Sequence, residues 1–330
     1  MKLNKNIKIF FNYFLGPLLF IYLSVSIYRQ INRQPDLEHA WQQLKISFLG
    51  TGASSLSFII ILMLGNWGIE ALKWKLAIEK IQPISFIKSL KAIFSGVSFS
   101  VTTPNRVGEY FGRVLYMKEG NRLKAISLTI VCSISQLLVT LWMGLFGLLV
   151  LKKQIEASQM ITSLWLELLI TGVAITCVLL TLFYFRLSWM VKWIDRLPGS
   201  SRFSWLINAI EDFNATLLLK LLSLSIVRFG IFCIQYYLMF RLFGVEVLWW
   251  QGFWAISISF LILAVIPSIA LADLGLRGEV TIKLFGLFSS NVLAITVSTA
   301  AMWFINLVLP AIVGSLLILS IKIFANKNEV

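Results

Sequence analysis

Six runs of about twenty or more mostly apolar residues recur along this chain, at 9–27, 47–69, 126–151, 164–185, 217–242 and 292–319. Each is long enough, as a helix, to cross about 30 Å of hydrocarbon. In lipid every backbone polar group needs a partner inside its own segment, so such runs fold as membrane-spanning helices. Of the 330 residues 58% are hydrophobic and 13% charged, and the mean hydropathy is +0.84. That leaves no room for a sizeable soluble catalytic domain.

The first run follows Lys2, Lys5 and Lys8 and superficially resembles a signal sequence. It has no small-x-small cleavage site and leads into further spans, which predicts a retained helix, kinked at Pro17. Residues 34–45 read as a short amphipathic stretch at the interface, with Leu37, Trp41 and Leu44 on one face. The second run ends in Glu70, Lys73, Trp74 and Lys75, the basic and aromatic edge expected where a helix leaves the membrane on its cytoplasmic side. In the last run Pro310 predicts a kink.

Two further apolar segments, 84–116 and 253–285, break in mid-course at a proline. The first contains Pro104-Asn105-Arg106-Val107-Gly108-Glu109 and then Arg113; the second contains Pro267, Asp273 and Gly275-Leu276-Arg277-Gly278-Glu279. Each is too short for two complete crossings, so a re-entrant hairpin is the economical reading, with its non-helical backbone lining a cavity or buried in protein. The two Gly-Glu pairs stand 170 residues apart, which suggests a duplication with halves at 1–155 and 156–330. Three full spans per half is an odd number, so the second half is expected upside down relative to the first. The fold class expected is therefore all-α: a polytopic integral membrane protein of about six full spans plus two re-entrant helical hairpins in inverted repeats.

The net charge of +14 would suggest nucleic acid in a soluble protein, but in a membrane protein it reads as orientation, and no nucleic acid is expected. With the N-terminus inside, twenty of the 29 lysines and arginines fall on the cytoplasmic face and eight on the other, while Arg228 remains within a span. Both termini are thus expected in the cytoplasm.

One histidine, His39, and three cysteines inside apolar runs, Cys132, Cys177 and Cys233, are too few for a zinc, haem or iron–sulfur site, and no cofactor or metal is expected. Ionisable groups at membrane depth cost at least about 2.5–3.5 kcal/mol, so Arg106, Glu109, Arg113, Arg228, Asp273, Arg277 and Glu279 are the candidate binding residues. Pro104, Gly108, Pro267, Gly275 and Gly278 are the candidate hairpin breaks. Guanidinium groups beside helix termini suit a phosphate, and an anionic lipid headgroup is the natural partner. Arg228 could instead snorkel to the interface. Gln136 and Thr140 read as helix–helix glue.

The two broken motifs, Pro104 to Glu109 with Arg113 and then Pro267 with Gly275 to Glu279, resemble the transmembrane region of the lysylphosphatidylglycerol synthase family, often called flippase-like. The likeness covers nearly the whole chain. It implies a bacterial or archaeal inner-membrane protein that moves or handles charged phospholipids or polyprenyl-linked lipids. In full-length lipid-aminoacylating members a soluble acyltransferase-like domain follows the membrane region; here the chain stops at Val330, so lysine transfer is not expected from this polypeptide. The leading expectation is a lipid transporter, not an enzyme. The alternatives are a non-transporting partner of a separately encoded lipid-modifying enzyme, and an enzyme acting on a lipid phosphate with Glu109 or Glu279 as general base. The oligomeric state is open.

Overall fold

The computed structural model describes residues 52–101, 103, 106–186, 215–266 and 270–319, with a few isolated positions nearer the N-terminus, and all its regular elements there are helical. Helix α1 (Ala53–Ile78) is followed by α2 (Phe86–Val101), α3 (Gly108–Val114), a 3-10 turn at Glu119–Asn121, α4 (Arg122–Val150), the short α5 (Lys152–Ala157) and α6 (Ser163–Phe185). Then come α7 (Ala215–Leu242), α8 (Trp249–Val265), α9 (Ala270–Phe285), α10 (Val292–Trp303), a π-helical segment Phe304–Val308 and α11 (Leu309–Leu319).

Among the described residues five continuous stretches are long and apolar enough to cross a membrane: Ala53–Ile78, Glu119–Val150, Ser163–Phe185, Ala215–Leu242 and Val292–Leu319. They answer five of the six expected spans. The run at 9–27, the amphipathic stretch at 34–45 apart from isolated positions, and His39 lie outside the described residues. Beyond Glu167 near its start, helix α6 is mostly apolar and exposes Leu164, Leu168, Ile175, Leu179 and Leu182, the mark of a helix whose outer surface meets lipid.

Between helices in lipid there is little hydrophobic driving force, so polar side chains and close packing hold the bundle. Helices α1 and α7 run antiparallel: Gln235 donates to the Ile59 carbonyl at 2.9 Å, Arg228 to Asn66 at 2.8 Å and Lys73 to Ser225 at 3.0 Å. The Trp74 indole donates to Thr129 of α4 at 3.1 Å, and the Tyr184 hydroxyl of α6 to the Leu218 carbonyl of α7 at 2.9 Å. All three cysteines are free and buried. The structure corrects the expected end of the second run. Helix α1 does not leave the bundle at Ile69 but continues to Ile78, and Glu70, Lys73 and Trp74 are buried. Its 26 residues reach about 39 Å, and α3, α4 and α7 supply the partners that let these charges stay inside.

Both broken segments fold as helix pairs. Helix α2 turns back along α1, with the Ser89 hydroxyl on the Ala71 carbonyl at 2.6 Å, and packs on α11 through Ser98 and the Ala311 carbonyl. Helix α8 packs antiparallel on α4, where Gly144 faces Leu261 and Gly147 faces Ile258. The first hairpin therefore starts from the end of the bundle that carries Ile78 and Arg122, the second from the end that carries Val150 and Leu242. Helix α3 lies almost backbone to backbone on α2: a Cβ at Gly112 would run into the backbone of Ser95 and Gly96. Only glycine allows that approach.

The kink expected at Pro310 is a π turn on its N-terminal side. The Leu309 N–H donates to the Phe304 carbonyl, five residues back. Proline has no N–H to offer the Asn306 carbonyl, and widening the preceding turn accommodates the loss.

Candidate functional site

Between the ends of the two hairpins lies a cavity of about 580 Å³. Ser100, Thr103 and Arg106 line it from the first break, residues 263–266 from the end of α8, Arg277 from α9, and Trp303 and Asn306 from the last span. At the first break the Gly108 N–H donates to the Thr103 hydroxyl at 2.7 Å, satisfying a free donor at the start of α3. Arg106 holds a left-handed backbone, φ +58°, which costs about 1–2 kcal/mol for a residue with a side chain. Its guanidinium is half exposed and lies 3.8 Å from Glu109.

One wall of the cavity is a buried ion cluster with Glu70 at its centre. One Glu70 oxygen accepts from Arg113 Nη2 at 2.9 Å; the other accepts from Arg228 Nη1 and lies 3.4 Å from the Lys73 ammonium. Glu109 accepts from the same Arg113 nitrogen at 3.1 Å. Arg228 also donates to Asn66 at 2.8 Å and reaches Gln136 at 3.4 Å, and its guanidinium stands 5.8 Å from the Trp67 ring centroid and 5.9 Å from that of Phe232. Lys73 donates to Ser225, which shares a hydrogen bond of 2.9 Å with Ser135. Charges buried this deeply persist only when paired and hydrogen-bonded.

The structure brings Arg106, Glu109, Arg113, Arg228 and Arg277 to one cavity. Arg228 does not snorkel: it is buried, held by Glu70 and Asn66. Glu279 lies apart, exposed and paired with Lys283 one turn on at 3.0 Å. Gly275 and Gly278 sit within α9 and not at a break, whereas Gly108 opens α3. Pro104, Pro267 and the side chain of Asp273 fall outside the described residues. Gln136 and Thr140, read as glue, both line the cavity.

Glu70, Lys73 and Asn66 were not among the candidates from sequence. Their spacing of four and three residues puts a polar stripe on one face of an otherwise apolar helix, a signal the neighbouring Trp74 and Lys75 disguised as a helix edge.

The family model for the lysylphosphatidylglycerol synthase TM region matches residues 14–317 of the chain. No curated protein matches it.

Proposed function

Since the chain belongs to the lysylphosphatidylglycerol synthase transmembrane-region family, we propose that its cavity receives the headgroup of an anionic lipid and passes it between the leaflets of a bacterial or archaeal cytoplasmic membrane. The observation that carries this reading is the charge balance of the cavity wall: among the described residues Lys73, Arg106, Arg113 and Arg228 stand against two carboxylates, Glu70 and Glu109. An excess of guanidinium groups in a place poor in water favours a phosphate.

The rest of the lining suits a hydrocarbon tail. Phe232, Phe260 and Leu263 are apolar, and Val265 and Ile266 line the cavity while remaining 64% and 41% exposed, so a tail can leave sideways into the bilayer. Hairpins that start from opposite ends of the bundle fit an exchange of access between two faces, and we read the halves 1–155 and 156–330 as inverted repeats.

Arg106→Gly gives a clean test, because the side chain is half exposed and the left-handed backbone favours glycine. The variant is expected to melt at or above the wild-type temperature yet to move a fluorescent anionic lipid across reconstituted vesicles at least about tenfold more slowly, the effect of losing about 1.4 kcal/mol of binding. Wild-type transport by folded Arg106→Gly protein would sink the headgroup assignment. Lipid retained by the wild type but never moved would make the chain a non-transporting partner of a lipid-modifying enzyme.

The charge asymmetry sets the orientation, with both termini cytoplasmic. A single cysteine at Gly120, before α4, is expected to react with an impermeant maleimide only from the cytoplasmic side, and one at Met160, before α6, only from outside. The reverse pattern would invert the assignment of the two faces.

A further inference from the structure

Three side chains at the first break carry a graded run of charge. Arg106, Glu109 and Arg113 all line the cavity, and side-chain exposure falls from 50% through 19% to 3% along them. One Glu109 oxygen stands 3.8 Å from Arg106 Nη1, and the other accepts from Arg113 Nη2 at 3.1 Å. A single oxyanion thus spans two guanidinium groups, one half open and one buried. Guanidinium donors serve the oxygens of a phosphate and of a carboxylate alike, so the place Glu109 takes also suits a headgroup phosphate.

The two described carboxylates of the wall differ in what they hold. Glu70 is the counter-ion of Arg113, Arg228 and Lys73, and withdrawing it would strand buried cations. Withdrawing Glu109 strands none of them. Arg113 keeps its 2.9 Å contact with Glu70, and Arg106 is half exposed. An ion pair to so open an arginine is worth no more than about 1 kcal/mol. Glu109 is therefore the exchangeable anion, and while it stays its charge repels a second anion from the same place.

We propose that Glu109 is a built-in competitor of the lipid phosphate: it holds the place between Arg106 and Arg113, yields it to an arriving headgroup, and retakes it to expel the lipid. This rests on the anionic-lipid reading and adds to it how the site lets go. Arg106 and Arg113 capture the phosphate, and Glu109 determines its release.

The test uses the full chain in nanodiscs of phosphatidylcholine, with phosphatidic acid as the probe. Affinity is measured by native mass spectrometry, release by exchange of a fluorescent analogue, and transport in vesicles. Glu109→Gln is expected to bind the probe about tenfold more tightly than wild type and to release it about tenfold more slowly, so transport at saturating lipid slows as well. Loss of a merely structural ion pair would not tighten binding. Glu109→Asp keeps the charge but, one methylene shorter, no longer reaches both guanidinium groups, and it too is expected to bind more tightly. In Glu109→Ala, sodium acetate is expected to compete with the lipid and to speed its release, where sodium chloride at the same concentration does not.

Tighter binding by Glu109→Gln together with wild-type affinity in Glu109→Asp would reduce the effect to net charge and overturn the exchange. Unchanged affinity and release in folded Glu109→Gln would overturn it as well, and failure of all three variants to fold would make Glu109 a structural counter-ion. Competition by inorganic phosphate as strong as by the lipid would keep the exchange at Glu109 and remove the tail. Failure of the wild type to bind phosphatidic acid or phosphatidylglycerol would instead remove the anionic-lipid reading itself.

Discussion

Glu70→Leu is expected to leave almost no folded protein. The carboxylate is the shared counter-ion of Arg113, Arg228 and Lys73, which are all buried. Removing one partner of a buried ion pair costs about 3–5 kcal/mol, because an uncompensated charge remains inside. Here three cations lose their common acceptor and only Glu109, shared with Arg106, remains. Size-exclusion profiles and melting curves in mild detergent read the loss directly. Glu70→Gln, which keeps an acceptor oxygen, should fall between, and the pair Glu70→Leu with Arg228→Met should recover part of the stability by removing a cation together with its anion. Wild-type melting of Glu70→Leu alone would show that the cations find other counter-ions and that the cluster is not organised around Glu70.

Gly112→Leu is expected to be almost as damaging, for a steric reason. The position faces the backbone of Ser95 and Gly96, and main chain cannot rotate out of the way as a side chain can. Accommodating a Cβ and an isobutyl group forces α3 off α2, and α3 carries both Glu109 and Arg113. Overpacking of a close contact costs about 1–3 kcal/mol or more, and here it also displaces two members of the ion cluster. Gly112→Ala should be milder but still measurable as a drop in melting temperature. Gly120→Leu, with open space around the position, is the control. Equal stability of the Gly112 and Gly120 variants would mean that the hairpin does not close as described.

The arginines at the breaks were legible because charge at membrane depth is so costly that it stands out against an apolar background. Arg106, Glu109 and Arg113 were found that way, and the structure does put them on a cavity. Glu70 was hidden by its surroundings: a glutamate followed by Lys73, Trp74 and Lys75 has the composition of an interface, and the sequence does not reveal that α1 continues for two more turns under the cover of other helices. The position of Arg228 depends on a contact across 158 residues, which no local pattern encodes. For Glu279 the analogy between the two Gly-Glu motifs was misleading, because Lys283 lies one turn along the same helix and takes the carboxylate outward. The π turn could not be read either, since a proline signals a break in hydrogen bonding but not how the chain absorbs it.

That turn has a mechanical consequence. The last span touches both hairpins: α10 packs on α9, and α11 packs on α2, with Gly314 against the Phe94 carbonyl. Its one irregular joint, Phe304–Val308, lies between these two attachments and contributes Asn306 and Leu307 to the cavity wall. The span is thus a lever with a fulcrum at the cavity. Any change of bend at the fulcrum alters the separation of α9 and α2, so the two hairpins do not move as independent parts. A molecule held in the cavity would lie against the joint that connects them.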